Sequence, residues 1–229
     1  MMSALQPRLD EITQNTRKLV QEERLAIGER AVADLFESGI EDRALKVGDM
    51  APAFALPDAI SGKIIKSSDL LSLGPLVIDF FRGRWCPYCV TELETWRDLQ
   101  PRLRELGGLV VAISPQTLRQ SDFTVQQHGI PFPLLRDEGC TLAEKFGVAY
   151  ALTPEMQRYY RSILVNIPFI NAGRNVMASA DAALERDWML PIPATFVVNR
   201  DGIITFAEAH ADFRVRPEPE EVLAALQRS

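Results

Sequence analysis

Apolar positions along this chain change their period several times, and each change marks an element. Over residues 1–45 the spacing is helical, with Leu5, Leu9, Ile12, Thr16, Leu19 and Val20 on one stripe and Ala31, Leu35 and Phe36 on a later one. Gly28 and the Ser38-Gly39 step divide this stretch into two predicted pieces. From Val47 to Asp58 the chain reads as extended and proline-rich, and Gly62-Lys63-Ile64-Ile65 reads as half of a hairpin. Leu76-Val77-Ile78-Asp79-Phe80-Phe81 is short, β-branched and aromatic, bounded by Gly74-Pro75 and Arg82-Gly83, as a strand buried in a parallel sheet should be. After Pro87 the helical period returns through Val90, Leu93, Trp96, Leu99 and Leu103 and stops at Gly107-Gly108. Leu109 to Ser114 predicts a second buried strand, 117–128 a helix, Phe132 to Leu135 a short strand, and Thr141 to Phe146 a helix ending at Gly147.

Strands alternating with helices specify an α/β sheet with parallel neighbours. Residues 150–190 interrupt that alternation, with a helical stretch from Pro154 through Asn166 and then an irregular segment to Trp188. This insertion serves either as packing or as one wall of a cleft. Alternation resumes at Leu190-Pro191-Ile192-Pro193-Ala194-Thr195-Phe196-Val197-Val198, and an Arg200-Asp201-Gly202 turn leads into a second β-rich run, which predicts a hairpin. Pro193, directly ahead of the first run, suggests a purposeful cis X-Pro bond. A last helix carries Val222, Leu223 and Leu226. The predicted organisation is a helical extension over 1–45 and an α/β body over 46–229 with the insertion inside it. The extension packs either on the body or on a partner subunit.

At 229 residues, 47% hydrophobic and 24% charged, the chain has the composition of an ordinary globular protein. A net charge of −6 without a Lys/Arg-rich stripe argues against nucleic acid, and Arg214 and Arg216 are too few to build one. The N-terminus lacks the apolar centre of a signal peptide and no apolar run approaches a bilayer-spanning length, so no membrane role and a cytoplasmic location are expected. Three cysteines make no disulfide scaffold, and a reducing compartment keeps them available.

The candidate chemistry sits at Trp85-Cys86-Pro87-Tyr88-Cys89, where a Cys-x-x-Cys pair follows a buried strand and opens a helix. Unpaired N–H groups at a helix start favour a thiolate at Cys86, and Arg82 and Arg84 add positive charge. Cys89, about one turn inside, is the shielded partner that closes the disulfide. Zinc is the bland alternative, but only Cys140 remains as a third sulfur, and His128 and His210 stand apart, so no metal is expected. A pair of inert structural cysteines is the other. No cofactor is implied.

These segments, with Gly48-Asp49-Met50-Ala51-Pro52-Ala53-Phe54, Ala112-Ile113-Ser114-Pro115-Gln116 and Pro193-Ala194-Thr195-Phe196-Val197, make residues 47–228 resemble the peroxiredoxin-like branch of the alkyl hydroperoxide reductase and thiol-specific antioxidant superfamily. The resemblance implies a thioredoxin-like fold, a central mixed β-sheet flanked by helices. It implies a thiol-dependent peroxidase in which Cys86 reduces hydrogen peroxide or an organic hydroperoxide, Cys89 resolves the sulfenic acid, Pro193 is a cis proline beside them and a thioredoxin-type donor restores the dithiol. A homodimer is a further implication.

Two positions depart from the family pattern. Gly83 replaces the Thr or Ser three residues before the reactive Cys, and Pro193-Ala194 stands where an Arg is usual. Both missing groups orient peroxide oxygens, so Arg82 and Arg84 are the candidate substitutes, or else solvated loop charges. Trp85 and Tyr88 either shape the rim or simply pack, and Thr195 either bonds near the pocket or serves as a β-former. The alternatives to a peroxidase are a general thiol-disulfide oxidoreductase acting on protein disulfides and a non-catalytic binding or redox-sensing module.

Overall fold

The computed structural model describes residues 5–175 and 184–229. The chain opens with three helices, α1 (Leu5–Leu19), α2 (Glu22–Glu37) and α3 (Ile40–Arg43). Next come a small antiparallel pair, β1 (Ala55–Pro57) and β2 (Ile64–Lys66), the helix α4 (Ser67–Leu73) and the strand β3 (Leu76–Phe80). Then follow α5 (Pro87–Asp98), α6 (Gln100–Glu105), β4 (Leu109–Ser114), α7 (Leu118–His128), β5 (Leu134–Arg136) and α8 (Thr141–Lys145). The chain continues through β6 (Ala149–Ala151), α9 (Pro154–Ser162), α10 (Ile167–Ala172), β7 (Met189–Pro191), β8 (Ala194–Val198), β9 (Ile204–Ala209) and α11 (Pro219–Leu226).

The main sheet has the order β5-β4-β3-β8-β9, with β4 and β5 parallel to the central β3, and β8 antiparallel to it and to β9. All five β3 residues are buried, which is why its sequence runs almost continuously apolar. The pleat divides them between two cores. Leu76, Ile78 and Phe80 join one that includes Phe146 and Phe196, while Val77 and Phe81 join the other, under α1, α5 and α11. Asp79 belongs by parity to the second face, beneath α5.

The N-terminal arm packs on the body. Leu5 and Leu9 of α1 are fully buried against Leu93 and Trp96 of α5. The first turn of α1 holds no acid of its own; Glu218 supplies one, accepting from the Leu5 and Gln6 amides at 3.0 and 2.8 Å. The arm breaks at Val20-Gln21 and not at Gly28, which lies inside α2. A helical glycine is tolerated there because the tertiary contacts of α2, including the Arg30–Glu155 and Arg214–Glu29 ion pairs, hold the helix.

The insertion is closed at its base by β6 pairing with β7. Its first helix ends at Ser162 and not at Asn166, because Leu164 takes a left-handed φ of 61°, and Asn166 instead caps α10 by accepting from the Phe169 amide. Part of the predicted irregular segment, 176–183, lies outside the described residues. Among the described residues no peptide bond is cis, so the expectation for Pro193 is corrected: its bond is trans. The extended trans chain delivers the Pro193 carbonyl to the His210 amide at 3.0 Å, continuing the β8–β9 ladder by one bond.

Candidate active site around Cys86 and Cys89

β3 ends at Phe80, and Phe81 still bonds to the sheet through Ile113 before the chain turns through Arg82-Gly83-Arg84-Trp85. Gly83 has φ +143°, a conformation side chains rarely adopt, and a Cβ there would lie 2.7 Å from Trp85 Nε1. That contact is the local reason no Thr or Ser stands at this position. The Cys86 amide closes the turn onto the Gly83 carbonyl at 3.1 Å, Cys86 is the extended N-cap residue of α5, and Pro87 fills the first helical position. Both cysteines are buried, Cys86 at 1% exposure and Cys89 at 0%. Neither is in a disulfide, and each shifts the other's ionisation.

Two buried arginines flank the pair. Arg82 stacks on the Trp85 ring at 4.7 Å and the Phe213 ring at 4.6 Å, and donates through Nη2 to the Tyr160 hydroxyl. Arg216 comes from the loop between β9 and α11; it donates through Nη2 to Cys89 Sγ at 3.3 Å, through Nη1 to the Phe213 and Val215 carbonyls, and through Nε to Glu92. Thr195 on β8 donates to the other Glu92 oxygen at 3.4 Å. Glu92, one helical turn after Cys89, thus anchors the arginine that touches Cys89.

Burial alone would push the Cys86 thiol up. The hydrogen bond with Cys89 and the charges of Arg82 and Arg216 outweigh it, and the Cys86 pKa comes down to about 5. Cys89 moves the opposite way: burial raises it first, and its bond to Cys86 and the Cys86 charge raise it further. One sulfur is therefore ionised and the other keeps its proton. Burial also pushes Glu92 up, against the pull of Arg216. Asp79 is raised well above the usual carboxylate range by burial and by the Glu92 charge, and neither of its oxygens has a hydrogen-bond partner, which favours the protonated acid.

Of the residues singled out from sequence, Cys86, Cys89, Arg82, Trp85 and Thr195 lie in or beside this cluster. Arg84 points elsewhere: it is exposed, donates from Nε to Gln120 at 2.6 Å and sits 5.7 Å from the Phe123 ring, because the turn at Gly83 sends it to the opposite side from Arg82. Pro193 adjoins Ala194, whose register partner is Phe80 at the end of β3. The sequence reading missed Arg216, Glu92, Asp79, Tyr160 and Phe213. A buried strand carrying Asp79 amid apolar neighbours was the one visible signal among them. Tyr88 packs edge-on to Phe213 at 5.6 Å, and its hydroxyl meets that of Thr13 at 3.1 Å.

Cys140 is fully buried, with a thiol pushed well up by burial, in the other core from the pair. His128 faces Glu94 at 3.0 Å and His210 faces Glu208 at 3.0 Å, neither of them with a cysteine. Among the described residues no three His, Cys, Asp or Glu side chains gather as a metal site, and no helix is long and apolar enough to cross a membrane.

Residues 47–207 match the AhpC/TSA family. A Mycobacterium tuberculosis protein carrying a peroxiredoxin name is 32% identical over 121 residues, 53% of this chain and 78% of that relative. The thiol-disulfide oxidoreductase ResA of Bacillus thuringiensis is 31% identical over 108 residues, 45% of this chain and 59% of ResA. Among solved structures, peroxidoxin BcpB from Mycobacterium tuberculosis superimposes with a TM-score of 0.59 at 24% identity, covering 80% of this chain and 97% of that one, a likeness of fold. The fold is thioredoxin-like α/β.

Proposed function

The chain belongs to the AhpC/TSA family, and on that footing we propose that it is a thiol-dependent peroxidase working through a Cys86–Cys89 dithiol cycle. The observation that carries the reading is the buried Cys86 at the start of α5, one turn from Cys89, with Arg216 donating to Cys89 at 3.3 Å and the buried Arg82 in the adjoining turn, a setting that brings the Cys86 thiol down to about 5 and pushes Cys89 up. The Cys86 thiolate attacks the terminal oxygen of the peroxide in line with the O–O bond. That bond breaks, Cys86 becomes a sulfenic acid, and the departing alkoxide or hydroxide takes up a proton to leave as alcohol or water. Cys89 then attacks the Cys86 sulfur; its own proton and the sulfenic hydroxyl leave together as water, and a disulfide remains.

Arg82 is the group in this chain that takes over orientation of peroxide oxygens. Its guanidinium is fixed between two rings and by the Tyr160 hydroxyl, so little reorganisation accompanies charge development at the oxygen. Arg216 stabilises negative charge on Cys89 during resolution and again when a reductant opens the disulfide. Thr195 acts through Glu92, which holds Arg216. A thioredoxin-type dithiol donor in a reducing cytoplasm fits the two-cysteine cycle, and a homodimer is part of the same reading.

The second reading, a general oxidoreductase for protein disulfides, draws on the ResA likeness. The 1% exposure of Cys86 favours a small oxidant over a folded protein disulfide. Stopped-flow oxidation of the reduced protein by hydrogen peroxide tests the first reading. A second-order rate constant no greater than that of free cysteine thiolate, combined with strong turnover of insulin disulfides, transfers the assignment to the second.

A further inference from the structure

Arg82 lines a second cavity besides the cleft at Cys86, and neither cysteine lines this one. It holds about 330 Å³, where one water needs roughly 10–15 Å³ of such space. Helix α2 contributes Ala31, Val32 and Leu35, and the insertion contributes Leu152 and Met156, so the lining is mainly apolar. Because α2 precedes the residues that match the family, 47–207, this wall is an addition to the family body.

Three charged residues line the cavity, and they divide by burial. Asp34 and Arg43 are exposed and opposite in sign, so the mouth prefers neither charge, while Arg82 is 3% exposed. Among the described residues Arg82 has no carboxylate partner. Only the Tyr160 and Tyr150 hydroxyls accept from it, and its Nε has no acceptor at all. Burial keeps both hydroxyls protonated against the pull of the guanidinium, which leaves the Cys86 thiolate as its counter-charge. A buried cation at the end of an apolar chamber fits an anion with an apolar body. We infer that this cavity is a regulatory site for a small apolar carboxylate, its chain lying between α2 and the insertion and its carboxylate at Arg82, where it competes with the Cys86 thiolate for one guanidinium. Two anions sharing a cation disfavour each other, so the carboxylate should bind more tightly once Cys86 is neutral in the disulfide, and by linkage should favour the disulfide in turn. The inference depends on the charge at Cys86 and not on which oxidant the pair meets.

The test is calorimetric titration of the full-length protein with octanoate at pH 7, in the dithiol and in the disulfide form. The disulfide form should bind at least about fivefold more tightly, the lower end of ordinary coupling between sites. Cys86→Ser, neutral without a disulfide, should match the disulfide form. Octanol, which has the chain without the charge, should bind more weakly than octanoate and equally to both forms, and Arg82→Met should bring octanoate down to the octanol value. Ala31→Trp and Ala151→Trp, from opposite walls, should each remove octanoate binding while iodoacetamide still labels Cys86 at the parent rate. Absence of saturable binding to either form overturns the site, as does octanol binding as tightly as octanoate. Octanoate blocked by Ile163→Trp in the Cys86 cleft and not by Ala31→Trp overturns it as well. Equal octanoate affinity in both redox forms overturns the competition for Arg82.

Discussion

Arg216 and Cys89 lie 127 positions apart in the chain, yet the guanidinium donates to the sulfur at 3.3 Å inside the protein. The same guanidinium pairs with Glu92, and both side chains are about 1% exposed. Truncating the cation leaves Glu92 buried without its partner beside the unpaired Asp79. Arg216→Met should therefore cost about 3–5 kcal/mol in urea unfolding of the reduced protein. Removing both charges in Arg216→Met/Glu92→Leu should recover most of it, since an apolar pair replaces a buried ion pair at little cost. Disulfide closure after peroxide addition should be slow in both variants, because no guanidinium then donates to the Cys89 sulfur. Restoration of closure together with stability would show that Arg216 is a packing element.

The lowered Cys86 pKa sets the pH profile. A thiolate is the reactive form, so alkylation of Cys86 by iodoacetamide should rise with pH, reach half its maximum near pH 5 and be flat above neutrality. Arg82→Met removes a cation that favours the thiolate, and the midpoint should move upward. A midpoint near the ordinary thiol value in the unaltered protein contradicts the electrostatics of the site.

Gly83→Thr would restore the family residue three positions before Cys86, but should not restore its function. The backbone at φ +143° and the 2.7 Å approach to Trp85 Nε1 oppose a side chain there. The expected loss is about 1–3 kcal/mol in Tm-derived stability, with peroxide oxidation slower than in the parent. Faster oxidation would mean the loop can accept the residue and that its absence is a catalytic deficit.

Tyr160→Phe deletes the hydroxyl that accepts from Arg82 and keeps the ring against Trp85. Arg82 Nε already lacks a partner, so the variant takes a second contact from the buried guanidinium and leaves it to its two rings and the neighbouring Tyr150. Stability should fall by about 1–3 kcal/mol, the cost of an unmet buried donor. The peroxide rate constant should fall with it while the alkylation midpoint moves little, separating orientation of peroxide from ionisation of sulfur.

Leu9→Ala tests the docking of the N-terminal arm. Leu9 is 0% exposed in the core shared with α5, so truncation should cost about 2–5 kcal/mol in urea unfolding. A loss below about 0.5 kcal/mol, the range of exposed substitutions, would mean that α1 is not seated on α5 in solution.

What the residues determine by themselves is what depends on neighbours in the chain. The buried strand at Leu76–Phe80, the proline at the first turn of α5 and the two sulfurs one turn apart are all local, because burial on both faces, a fixed φ and the helical repeat each leave a mark within a few positions. The same locality explains the hairpin over Ala194–Ala209 and its Asp201-Gly202 turn. Tertiary structure alone decided the electrostatics. Arg82 and Arg84 look equivalent in sequence, and the left-handed turn at Gly83 sends one to the thiols and the other to Gln120. Arg216 and Tyr160 reach the site from 127 and 78 positions away, with no periodic pattern to announce them. The trans bond at Pro193 and the break of the arm at Gln21 belong to the same class, since propensity at one residue yields to the contacts of the whole element. Charge acts through space, and only the folded chain brings these charges together.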